Sequence, residues 1–255
     1  MRSRTANTSI IFLLLFVFLI LPAGKSASWA KSETINSEIA LDITRLFRAA
    51  RAVISTHQKL INDANKGDKG LSPKRVLAEA KVRYKKASDH KFVLAPKTTL
   101  KGAAQAAMLN SIHEVMKNAQ PLINERGRAF KGFLPAVFAR LVADHFSWLM
   151  KGRAFIKLTA PRYYIRNRSN RPDKWEHNVI TNIFQKPGYP KDKPFVESAR
   201  HRGRPAFRLM IPEYYKQSCL SCHGKPRGEE DITGGKKEGG VFGELGGAIS
   251  FVVYH

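Results

Sequence analysis

Cysteine is almost absent from this chain: its 255 residues contain two. That scarcity excludes a fold stapled by several disulfides. It also excludes a Cys-rich structural zinc site, which needs about four Cys and His ligands. Acidic residues are scarce too, 20 against 44 Lys and Arg, for a formal charge of +24. Long apolar runs are missing: Ile10 to Leu21 is unbroken but too short to span a membrane comfortably. No internal repeat and no long low-complexity tract occurs, so repeat architectures are set aside.

The two cysteines stand together, in Cys219-Leu220-Ser221-Cys222-His223. A bare Cys-x-x-Cys is ambiguous between a redox dithiol, half a zinc site and a disulfide. The appended histidine, with no further cysteine, points to covalent attachment of a c-type haem. Two thiolates add across the two porphyrin vinyl groups, and the two-residue spacer sets the sulfurs at matching reach. His223 then lies under the iron as the proximal ligand. The expectation is one covalent haem c on Cys219, Cys222 and His223, with a thiol redox pair as the alternative.

The amino terminus reads the same way. Arg2 and Arg4 precede the apolar run, Pro22 and Gly24 break it, and Ser28-Trp29-Ala30 offers small residues to a signal peptidase. A signal peptide over residues 1–30 and a periplasmic protein are expected, with an uncleaved anchor as the alternative. Cleavage leaves about 225 residues, enough for one sizeable core. The charge stays strongly positive, because only Arg2, Arg4 and Lys25 leave. Such a surface favours an acidic redox or signalling protein or an anionic membrane surface. Nucleic acid is not expected, since export separates the two and no recognition motif is present.

Helical periodicity dominates the first half. Leu46, Ala50, Val53, Ile54, His57, Leu60 and Ile61 mark a helix from Glu38 to about Asn65, ended by Gly67 and Gly70. Ser72-Pro73 opens a second, to about Ala87. Leu100 to Asn118 is a weaker third. Pro135 opens a fourth, with Phe138, Leu141, Val142, His145 and Leu149 on one face and Gly152 as its stop. Strands then follow at Ala154 to Thr159, around Phe207 to Ile211, and at Ala248 to Tyr254. Arg166 to Pro172 is a polar loop, Trp175 to Ile183 a short helix, and Arg227 to Gly240 a charged, glycine-rich and mobile loop. This gives an α+β class with N-terminal helices and an antiparallel sheet. The divisions expected are a helical region over 31–132 and a haem-binding core over 133–255, folded as one unit.

Three islands carry a resemblance. Arg166-Asn167-Arg168-Ser169-Asn170-Arg171-Pro172-Asp173-Lys174-Trp175-Glu176 is the first, the Cys219–Gly224 run the second, and Gly243-Glu244-Leu245-Gly246-Gly247-Ala248-Ile249-Ser250 the third. In this order they resemble the c-type haem domain family with a PAS-like fold. That family occurs in bacterial periplasmic proteins and in the extracytoplasmic sensor portions of chemoreceptors and histidine kinases. The resemblance implies a PAS-like sheet and a sensing role. Two departures stand out. Arg168 occupies the place of a family proline, and the cysteine that some members use as second axial ligand has no counterpart here.

Arg166 and Arg171 suit a haem propionate, because a guanidinium recognises a carboxylate through two parallel bonds. The alternative is that their loop shapes a corner, with Asp173 capping the helix of Trp175, a residue of the core before a haem-stacking one. For the sixth iron position the candidates are His145, then His57, then Met108, Met116 and Met150, or an open site. His145 leads because its stripe faces the interior and the related family draws its second ligand from this part of the chain. His90, His113, His177, His201 and His255 sit in polar surroundings and are expected in solvent. The functional readings are a redox or gas-ligand sensing module and a soluble electron-transfer cytochrome. No catalytic residue is recognisable, and an enzyme ranks last.

Overall fold

The computed structural model describes the backbone of residues 23–254 and the side chains of residues 32–254. Residues 1–22 of the expected signal peptide lie outside the described residues. Among the described residues no helix is long and apolar enough to cross a membrane.

The chain builds helices first: α1 (Ala23–Thr56), α2 (Gln58–Ile61), α3 (Pro73–Ser88), α4 (Leu100–Ile123) and α5 (Pro135–Leu149). Then come β1 (Ala154–Thr159), α6 (Lys174–Val179, continued by a π turn through Phe184), β2 (Phe195–His201), β3 (Arg204–Tyr214), α7 (Leu220–His223) and β4 (Leu245–Tyr254). The class is α+β. The four strands form one antiparallel sheet in the order β1-β4-β3-β2.

Local chemistry explains the helix ends. Ser72 caps α3 by accepting from Arg75 N, with Pro73 in the first turn. Thr99 caps α4 in the same way through Gly102 N. The sequence reading ends α4 at Asn118, yet the helix runs on through Pro121 because Ala119 and Ile123 are buried in the core. Tertiary packing outweighs the hydrogen bond that proline removes. The first helix is interrupted at His57, and α2 stops at Asn62 before either glycine.

One core joins these helices to the sheet. Ile156, Phe207, Leu209, Ile211, Ile249, Phe251 and Val253 point towards α1, α4 and α5 and are buried with Phe47, Met108, Phe138 and Phe146. The α5 face differs from the expected stripe. Phe138, Ala139, Val142, Ala143 and Phe146 are buried, whereas Leu141 is exposed and His145 half-buried. The alanines allow close approach, and Phe146 meets Phe251 at 6.1 Å between ring centroids.

The other sheet face is covered by α6, and here polar groups are buried. Arg208 is 1% exposed. It donates to Asp173 at 2.6 Å and lies 4.2 Å from the Trp175 ring centroid. Lys157 pairs with the buried Glu176 at 2.9 Å. Asp173 and Glu176 also form a capping box at the start of α6. Trp175 thus packs over Arg208, with its Nε1 donating to Glu197. The strand β2 was not anticipated, since it is a largely exposed, polar edge strand.

His201 also departs from the expectation: it is 7% exposed, not in solvent. Its Nδ1 is hydrogen-bonded to the Tyr254 hydroxyl. Burial, then the charges of Arg208 and Arg202, lower its pKa from 6.5 to about 4. The unfolded chain therefore binds a proton near pH 6.5, where the folded chain binds none. Stability is fully present above that pH and falls as pH drops towards 4. Between pH 7 and 5 the expected loss is about 2 kcal/mol. Urea unfolding at both pH values checks it. His201→Gln should remove most of the difference, and an equal loss in both proteins would refute the assignment.

Candidate functional site

The Cys-x-x-Cys-His run follows directly from the end of β3. After Tyr214 the chain makes a 3-10 turn at Gln217–Cys219 and the single turn α7. Both thiols are free and half-buried. The Cys219 sulfur accepts from Lys216 N at 3.4 Å.

The glycine-rich segment beyond α7 folds back over this turn. Gly239 N donates to the Gly224 carbonyl at 3.1 Å and Gly240 N to the His223 carbonyl at 2.7 Å. Gly228 N bonds the Lys237 carbonyl, Lys237 N bonds the Glu229 carbonyl, and Glu230 bridges Lys236. The expected mobile loop is therefore a hydrogen-bonded strap. It carries Glu238 to the His223 ring, where His223 Nδ1 donates to Glu238 Oε2 at 2.8 Å. A carboxylate only accepts, so Nδ1 holds a proton, and Nε2 is the ring nitrogen left to act as a ligand. That nitrogen makes no hydrogen bond among the described residues.

Tyr215 holds the ring from its face. The two rings stack at 5.4 Å and 20°. Two glycines make room for it: a Cβ on Gly240 would meet the Tyr215 ring at 2.4 Å and one on Gly246 at 2.5 Å. Burial, then the charge of Glu238, pushes the Tyr215 phenol pKa up, so it is uncharged at neutral pH.

Arg166 closes the back of the site. Its guanidinium donates to Glu238, to Asp231, to the Cys222 carbonyl at 2.6 Å and to the Lys236 carbonyl at 3.0 Å. Burial raises the pKa of Glu238 and Asp231, but the hydrogen bonds they accept outweigh it and hold both below the ordinary carboxylate range. Both therefore stay ionised at neutral pH. Arg166 is thus committed to carboxylates of its own chain, which sequence reasoning had reserved for a propionate. Arg171 has an exposed side chain, and its carbonyl accepts from Lys157.

On the other side lies α1. Ser55 Oγ is 3.3 Å from Ser218 Oγ, and Arg48 and Arg51 both pair with Glu213. Burial, then the charge of Arg48, lowers the Arg51 pKa to about 10, with Cys219 acting in the opposite sense.

The remaining candidates are engaged elsewhere. His57 Nε2 donates to Glu79 at 2.8 Å. His145 Nδ1 donates to Ser111 Oγ at 3.0 Å, the Ser111 proton going to the Ala107 carbonyl. The His145 ring lies against Trp148. No hydrogen bond or ring contact among the described residues joins either histidine to the Cys219–His223 turn. Met108, Met116 and Met150 are fully buried in the core. Sequence reasoning missed Glu238, Tyr215 and Arg51. The only signal for Glu238 was its place before Gly239-Gly240, where a backbone without side chains can press against another residue.

The arrangement can present two thiols and one imidazole lone pair from a single turn, with the imidazole fixed by a carboxylate and an aromatic face. The sequence pattern of the Tll0287-like family matches residues 43–253. Among solved structures, the crystal structure of the cyanobacterial heme-protein Tll0287 is similar at 16% identity. The match covers 59% of this chain and 94% of that one, with a TM-score of 0.38. No curated protein matches the sequence.

Proposed function

The chain belongs to the Tll0287-like family, and from that membership and the Cys219–His223 turn we propose that it is an exported periplasmic protein carrying one covalent haem c, which acts as a redox or gas-ligand sensing module. The observation that carries this reading is the donor set: two free thiols and a histidine whose Nδ1 is held by Glu238 while Nε2 makes no hydrogen bond among the described residues. The family bears the name of a protein whose crystal structure is described as that of a cyanobacterial haem protein, and this supports the same class of cofactor here.

Cys219 and Cys222 would hold the haem through thioether links, and His223 Nε2 would ligate the iron. When bound, haem supplies one-electron chemistry and a place for a diatomic ligand. The chain's residues orient the imidazole, hold the Nδ1 proton on Glu238 and screen one ring face with Tyr215. The PAS-like sensor character, the periplasmic location and the signal peptide are part of the proposal and rest on the sequence islands and the amino-terminal pattern. His145 before His57 stands as the sixth ligand. His145 keeps Nε2 clear of its Ser111 contact, whereas His57 would have to release Glu79 to ligate through Nε2.

A soluble electron carrier is the second reading, favoured by the +24 charge, which suits an acidic partner. Absorption spectra of the ferrous protein with and without CO decide between the two. Rapid CO binding is expected of a sensing module. A six-coordinate haem indifferent to CO would overturn gas-ligand sensing and leave redox sensing or electron transfer.

A further inference from the structure

The contact that no motif announced is the one behind His223. A metal-bound histidine commonly donates its second ring N–H to an oxygen, which fixes the ring and raises its basicity as a ligand. The oxygen here belongs to a carboxylate, not a neutral carbonyl. Glu238 is 15 residues downstream of His223 and meets Nδ1 at 2.8 Å.

The geometry points to Glu238 as a positioning residue that lowers the haem reduction potential by giving His223 anionic character. This rests on the haem reading above. A carboxylate sharing the Nδ1 proton makes Nε2 a stronger donor, and a stronger donor favours ferric over ferrous iron. The charge of Glu238 acts in the same direction, since the ferric centre carries one more positive charge. Arg166 does not cancel this. It donates to Asp231 as well as to Glu238, so one guanidinium is shared between two carboxylates and the cluster keeps one net negative charge.

The cluster is built to hold Glu238 in place. The Glu238 side chain is 8% exposed and that of Asp231 fully buried. Thr233 N and its hydroxyl both donate to Asp231 Oδ1, which fixes Asp231 independently of Arg166. Arg166 also donates to the Cys222 carbonyl, so it ties the Glu238 side of the ring to the backbone that bears the thiols. Tyr215 sets the tilt of the imidazole, and Glu238 its rotation and charge.

The test is spectroelectrochemical titration of the full-length holoprotein, wild type beside Glu238→Gln and Glu238→Asp. Glu238→Gln keeps the shape and removes the charge. It should shift the ferric–ferrous equilibrium at least tenfold towards ferrous iron, a rise of 59 mV or more for one electron. Glu238→Asp keeps the charge but draws the carboxylate back from Nδ1, so it should move the potential the same way by less. The visible spectra should stay those of His-ligated haem, which a merely structural disturbance would not combine with a shifted potential. An unchanged potential in a haem-loaded Glu238→Gln protein overturns the inference. So does a wild type that loads haem while neither variant does, because Glu238 would then serve only to fold the strap. A wild type that loads no haem overturns the cofactor reading itself.

Discussion

Replacing Cys219 and Cys222 together by Ser is expected to leave a folded protein with no haem that survives denaturation. Each thioether link joins one sulfur to a vinyl carbon and places the thiol hydrogen on its neighbour, so nothing is released and no hydroxyl substitutes for the thiol. The thiolate is the nucleophile, and a serine hydroxyl is a far weaker one. Neither cysteine is among the buried residues of the core, and the turn keeps its backbone bonds at Cys219 N and Gly224 N. The change should therefore cost about 1 kcal/mol of stability or less in the haem-free protein. Denaturing electrophoresis with haem staining, after expression with a cytochrome c maturation system, reads the effect. Each single variant should keep one link and stain. A double variant that stains like wild type would contradict the account.

Phe251→Ala is the substitution expected to cost most in the apolar core, about 3–5 kcal/mol. Phe251 is fully buried at the centre of β4, between Ile156 of β1 and Leu209 of β3. Its ring faces Phe146 of α5, so truncation opens a cavity at the seam between the helices and the sheet. The penalty is measured as the shift in urea midpoint of the haem-free protein. A loss under about 1 kcal/mol would mean that the seam closes around the gap. Haem attachment should be unaffected below the unfolding transition, because the cysteine turn departs from the far end of β3.

The turn that carries the proposed chemistry was legible because its logic is local. Five consecutive residues state the donor set, and no long-range contact is needed to read them. The Asp173 cap is likewise a three-residue affair with Glu176. The strands β1, β3 and β4 announced themselves through β-branched and aromatic residues, although β4 begins earlier than read, at Leu245. What failed was whatever depends on a distant partner. Arg208 alternates with apolar neighbours as a surface residue would, and only α6 lying over it makes it a core residue. The α5 stripe was misjudged because Ala139 and Ala143 carry little weight in a hydrophobic pattern, yet their size is what lets the helix seat. Edge strand β2 has no apolar face to signal it. Glu238 reaches His223 through a strap whose path is set by backbone hydrogen bonds, and its clamp, Arg166, is 72 residues earlier.

The measurement that bears most directly on the central claim is the mass of the intact protein under denaturing conditions, after purification from cells with a cytochrome c maturation system. The account predicts a polypeptide heavier by one haem, with the added mass mapped to the peptide containing Cys219 and Cys222 and resistant to acidified acetone. A polypeptide mass without haem, or haem that acidified acetone extracts, would contradict it.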